Sequence, residues 1–153
     1  MDMDKVKRAE ELFLSGYNCA QAVAGAFCEE IGMPLRMVVK LVSAYGGGVG
    51  RLREICGAVS GMAFVLSALV GYDEPTEKEK KRDLYATVQK LAKEFEEENG
   101  SYVCRDLLEL AKNAKLDPTP SERTKEYYHS RRCVDCVKSA ARILEDYLNS
   151  SRS

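Results

Sequence analysis

The sequence predicts an all-α fold, a single domain over residues 1–153 with about six or seven helices around a central apolar one. Three observations predict it. Apolar residues recur at offsets of three and four along most of the chain, as at Val6, Ala9 and Phe13 or at Leu84, Val88, Leu91 and Phe95. No stretch alternates in the period of two that a half-buried strand needs. Residues 55–72 carry no charge over 18 positions, the composition of a helix packed on all sides.

The elements follow in order. Residues 4–15 form an amphipathic first helix, with Lys5, Lys7, Glu10 and Glu11 between its apolar positions, and Gly16 ends it. Asn18 caps a second helix over 19–31, with Cys19, Ala22, Val23 and Ala26 on one face. Cys28 stands nine positions after Cys19; nine steps of about 100° turn the two thiols to opposite sides. Pro34 opens a third helix through Val38, Leu41, Val42 and Tyr45. The fourth spans 55–72, is diluted by Cys56, Gly57, Ser60, Gly61 and Ser67, and has no second span beside it, so it reads as the core rather than a membrane crossing. DEPTEKEKK links it to a long helix ended by Asn99 and Gly100, whose acidic run 94–98 reads as a solvated face. Cys104 opens a short element facing the core through Leu107, Leu108 and Ala111, residues 112–132 read as a loop, and a last helix carries Cys133 and Cys136 at its start.

Composition narrows the function. Lys and Arg number 23 against 24 Asp and Glu, a balance that supports neither nucleic acid nor an anionic membrane as a partner. The opening MDMDKVKRAEELF lacks the apolar core and cleavage site of a signal peptide, so the expected location is cytoplasmic. Six cysteines in such a chain point to metal binding or redox activity rather than a disulfide framework. His129 is the single histidine, so a metal site must draw on thiolates or carboxylates.

The glycine-rich turn AYGGGVGRLREICGAVSG delivers Cys56 to the fourth helix. Gly46, Gly47, Gly48 and Gly50 permit positive φ and close approach, which marks them as residues that line a cofactor. A cysteine in the first turn meets unpaired N–H groups and the positive end of the helix dipole, conditions that favour a thiolate. Cys19, Cys104 and Cys133 also stand at or near helix starts, and four such ends converging would make a positive pocket for a thiolate cluster. Arg51 and Arg53 beside the glycines suggest phosphate, yet the turn follows a helix and lacks the lysine of a P-loop or the acidic residue of a dinucleotide fold. His129, beside Tyr127 and Tyr128, reads as a surface residue.

At these motifs the chain resembles the redox-active proteins named for the pattern C-GCAxxG-C-C. The resemblance rests on GYNCAQAV around Cys19, YGGGVGR and ICGAVSGM around Cys56, GSYVCRDLL around Cys104, and RRCVDCVKSAARIL around Cys133. It implies that Cys19, Cys56, Cys104 and Cys133 form a redox-active or metal-binding site, with Cys28 and Cys136 as additions and Cys136 close enough to replace Cys133. Related domains fused to multi-haem cytochromes are associated with an iron–sulfur centre, so it implies electron transfer or thiol redox chemistry with no stated substrate. Val137 stands where a C-x-x-C-H attachment site needs histidine, so no covalent haem is expected.

Three readings follow. The first is a Cys-ligated iron–sulfur centre for electron transfer, with glycine N–H groups near its sulfurs. The second is dithiol–disulfide exchange by Cys133 and Cys136, with Arg131 and Arg132 lowering the pKa of Cys133 and Cys56 as a further reactive thiol. The third is a closed zinc site in an interaction module. A redox partner protein is implied, a homodimer is left open, and no enzyme constellation of nucleophile, base and acid is legible.

Overall fold

The computed structural model describes residues 4–111 and 113–151, with no account of the side chains of Ser130 and Ser151. Among them the fold is all-α: α1 (Lys5–Leu14), α2 (Cys19–Ala26), α3 (Leu35–Leu41), a 3-10 turn (Ser43–Tyr45), α4 (Gly57–Val70), α5 (Lys78–Asn99), α6 (Cys104–Leu107), α7 (Lys125–Ser130) and α8 (Cys133–Ser151). None of these helices is long and apolar enough to cross a membrane.

The apolar helix at the centre is α2, not the fourth helix. It packs against α1, α3, α4 and α8, and Ala20, Ala22, Val23, Ala24 and Ala26 are all sealed from solvent. Small side chains explain how: an added Cβ at Gly61 of α4 would stand 3.0 Å from the Ala20 carbonyl oxygen, so α4 approaches α2 almost backbone to backbone. Helix α4 buries Ala58, Val59, Met62, Val65 and Leu66, but Ser67, Ala68 and Val70 emerge into solvent. An uncharged run therefore marked a buried start rather than a helix enclosed along its whole length.

The second helix also stops earlier than its pattern suggests. It ends at Ala26 with Phe27 as its C-cap, and the chain turns through residues 27–32, where Gly32 takes φ +68°. The stretch read as a loop contains α7, capped by the Thr124 hydroxyl, which accepts from the Tyr127 N–H. One antiparallel bridge joins Ile55 to Val103. It is too short to be a strand, but it ties the segment before α4 to the segment before α6.

Candidate functional site

Four helix starts deliver five cysteines to one place. Asn18 and Gln21 form a capping box, each side chain accepting from the other's backbone N–H at 2.9 and 3.0 Å, and the Asn18 amide donates to the Ser43 carbonyl at 3.1 Å. This fixes Cys19 as the first residue of α2. Cys56 is the N-cap of α4 rather than a first-turn residue, and its N–H donates to the Tyr102 carbonyl at 2.8 Å. The Cys104 N–H donates to the Glu54 carbonyl at 2.6 Å, so the bridge at Ile55 sets Cys56 and Cys104 beside each other. Cys133 and Cys136 stand one turn apart on α8, on the same face. All five line one cavity of about 70 Å³. Cys28 does not; it lies in the turn after α2, where Arg8 donates to its sulfur at 3.3 Å.

The glycine turn supplies space more than donors. Residues 47–51 run consecutively through the left-handed region, and Val49, Arg51 and Arg53 hold φ of 68°, 63° and 64° without being glycine, a conformation that costs about 1–2 kcal/mol per residue. The N–H groups of residues 49–54 are all spent on carbonyls within residues 44–49, so none of those six is left for a ligand's sulfur. What the turn gives is proximity: a Cβ on Gly48 would lie 2.7 Å from the Cys104 Cβ, and one on Gly57 would lie 3.2 Å from the Cys19 Cβ. Gly47 and Gly48 line the thiol cavity, whereas Gly46 and Gly50 line an adjoining one.

The thiols divide into pairs. Cys19 and Cys133 are free thiols, hydrogen-bonded to each other. The Cys19 thiol is pushed well above its ordinary range by that bond and then by burial, while Cys133 is lowered to about 7, first by the bond from Cys19 and then by Arg131, Arg123 and Arg53 against the opposing effect of burial. Cys56 and Cys136 are likewise free thiols, and the hydrogen bond between them together with burial pushes Cys56 up despite the Ala58 N–H, which favours its thiolate. The fifth thiol, Cys104, is raised by burial and held back by Arg53, whose Nη1 donates to its sulfur at 3.6 Å. The expected thiolate at Cys56 is therefore corrected. Its buried partner sulfur outweighs the helix start, and the thiolate near neutral pH is Cys133.

The chain's similarity to known proteins agrees with this geometry. Residues 17–147 match the family described as "Putative redox-active protein (C_GCAxxG_C_C)". The chain belongs to the C_GCAxxG_C_C family. No curated protein and no solved structure gives a match. The family is described as redox-active, and the matched region contains every cysteine of the chain.

Of the arginines lining the thiol pocket, Arg53, Arg131 and Arg132 stand out in the sequence and Arg123 does not. Arg123 donates to the carbonyls of Phe13 at 3.0 Å and Tyr17 at 2.9 Å, and its guanidinium lies 4.4 Å from the Phe13 ring centroid. It crosses more than 100 residues of sequence to do so, and no local pattern announces that. Arg53 is buried at 8% exposure, and Arg131 stacks over Tyr127 at 4.9 Å. Arg132 lines the pocket but donates to the Asn99 carbonyl at 3.0 Å, so it ties α5 to the start of α8. His129 is exposed and outside the lining.

Proposed function

We propose that the five-thiol pocket holds an iron–sulfur centre and that the protein transfers single electrons to and from a redox partner. The observation that carries this is the convergence of five thiols, contributed by four separate helix starts, on one arginine-lined cavity. The donor set fits the group in chemistry. Thiolates are the ligands such clusters take; Arg53, Arg123 and Arg131 offset the negative charge of several thiolates; and Cys56, Cys104 and Cys136, at 5%, 8% and 2% exposure, are sheltered from solvent.

When bound, the centre supplies a one-electron couple. The chain's own residues have the other tasks. Cys19, Cys56, Cys104 and either Cys133 or Cys136 act as ligands, which requires Cys19 and Cys56 to release protons they hold tightly. Arg53 and Arg123 hold positive charge at the sulfurs, and Gly48 keeps Cys104 within reach. Among the described residues, no three or more His, Cys, Asp or Glu side chains are grouped as ligands of a metal ion.

A second reading is favoured by the pKa of about 7 at Cys133 and its bond from Cys19: thiol–disulfide exchange, with Cys133 attacking and Cys19 resolving the mixed disulfide, in place of a Cys133–Cys136 pair. Anaerobic purification separates the two. Iron, zinc, acid-labile sulfide and visible absorbance are measured on one sample. Iron with sulfide and a visible band is the expected result; a colourless, metal-free protein whose Cys19 and Cys133 cycle between thiol and disulfide overturns the cluster in favour of exchange.

A further inference from the structure

A second cavity, of about 420 Å³, shares a wall with the thiol pocket. Four arginines line it: Arg51 and Arg53 from the left-handed turn, and Arg123 and Arg131 from either side of α7. Among the described residues, no carboxylate stands within 4 Å ion-pair distance of any of them. Their hydrogen bonds go to neutral groups: Arg51 to the Thr119 carbonyl, Arg123 to the Phe13 and Tyr17 carbonyls and the Tyr128 hydroxyl, Arg131 to the Ser121 hydroxyl, and Arg53 to the Cys104 sulfur. Arg51 Nε is shielded from solvent and bonds to nothing. The Arg51 pKa is lowered by burial and then by Arg53 and Arg131, with Asp117 opposing more weakly, and Asp117 already accepts from the Thr119 N–H at 2.9 Å.

Uncompensated like charges in a concave site store repulsion that an anion relieves. Three of the four arginines also lower the pKa of Cys133, but Arg51 lines only the second cavity, so serving the thiols does not account for it. A volume in the ordinary range of small-molecule pockets, roughly 300–1,000 Å³, exceeds what a bare ion needs. Pro118 and Pro120 offer apolar surface on the same wall.

We propose that this cavity binds a small organic molecule by its oxyanionic head group, phosphate or carboxylate, in the forks of Arg51 and Arg131, and so places it beside the thiol pocket. The proposal rests on the thiol pocket being the redox centre, and it names the class of molecule admitted there. Recognition is by side-chain guanidinium groups, which bind such oxyanions bidentately, so it needs neither the lysine nor the strand of a P-loop.

The test is calorimetric titration of the anaerobically purified full chain, at low salt, with inorganic phosphate and separately with succinate. Iron is assayed on the same samples. Saturable binding of either anion is expected, weakened about tenfold or more in Arg51→Gln and in Arg131→Gln by the loss of one charge-assisted contact. Which of the two binds tells phosphate from carboxylate. Arg51 is half-exposed and lies in no helix, so Arg51→Gln keeps the test decisive should Arg131→Gln misfold by circular dichroism. Absence of saturable binding by both anions, or unchanged affinity in Arg51→Gln, overturns the proposal. Iron-containing protein that binds neither anion removes this site and leaves the redox centre standing. Iron-free protein that binds phosphate leaves this site standing and removes the iron–sulfur centre.

Discussion

The two ends of the thiol pocket differ in a way that separates two physical effects. At one end Cys19 and Cys133 are half-buried; the Cys19 thiol is pushed up by its partner and by burial, while Cys133, with three arginines near it, ionises at about 7. At the other end Cys56 and Cys136 are buried, and Cys56 is pushed up by its partner sulfur and by desolvation. Cys19, Cys56 and Cys133 all stand at helix starts. Only Cys133, which takes a hydrogen bond from Cys19 and has Arg131, Arg123 and Arg53 near it, is lowered. The helix terminus places a thiol, and its partner sulfur first and the nearby cations second decide whether it ionises.

The largest expected effect comes from closing the inner end. In Gly48→Ala the new Cβ would meet the Glu54 N at 2.6 Å and the Cys104 Cβ at 2.7 Å, at φ +70°. Overpacking at a left-handed position costs about 2 kcal/mol or more, so the melting temperature falls and Cys104 is displaced. Gly50→Ala is the control, because nothing lies within 4 Å of its Cβ at φ +56°. It loses only the conformational term, about 1–2 kcal/mol. Equal melting temperatures for the two variants would contradict the packing role assigned to Gly48.

A smaller effect sharpens the outer end. Cys133 has a folded pKa depressed from 9.0 to about 7; its thiolate, and the stability linked to it, is fully present above the unfolded value and is lost as pH falls through about 7. Alkylation of Cys133, followed by peptide mass spectrometry against pH, should show its midpoint there. Cys19→Ala removes the largest contribution to that depression, so the midpoint moves up toward 9.0. An unmoved midpoint would assign the depression to the arginines alone. The smallest effect is at Cys28, whose sulfur meets Arg8 rather than the pocket. Cys28→Ala should leave both the Cys133 midpoint and the iron content unchanged; a change in either would show coupling through α2.

How much of this was legible depends on where the information lies along the chain. The long helices announced themselves, because Leu84, Leu91 and Phe95 of α5 and Val137, Ala140, Ala141 and Leu144 of α8 keep helical spacing and are buried. The cysteines that meet were also marked by their helix-start positions. The end of α2 was not, since Phe27 and Cys28 continue an apolar run while the chain turns. The left-handed conformation of Val49, Arg51 and Arg53 was hidden behind the glycines around them. Arg123 was invisible for a different reason. Its partners Phe13 and Tyr17 lie more than 100 residues away, and only tertiary packing brings them together.

Electron paramagnetic resonance on anaerobic protein, before and after dithionite reduction, tests whether the pocket is a one-electron centre ligated by its thiols. The predicted result is an iron-centred signal that appears or vanishes reversibly with one electron per protein, alongside bleaching of the visible band, and that is lost in Cys56→Ser. A protein silent in both states, which takes up electrons in pairs as a Cys19–Cys133 disulfide is reduced, would contradict it.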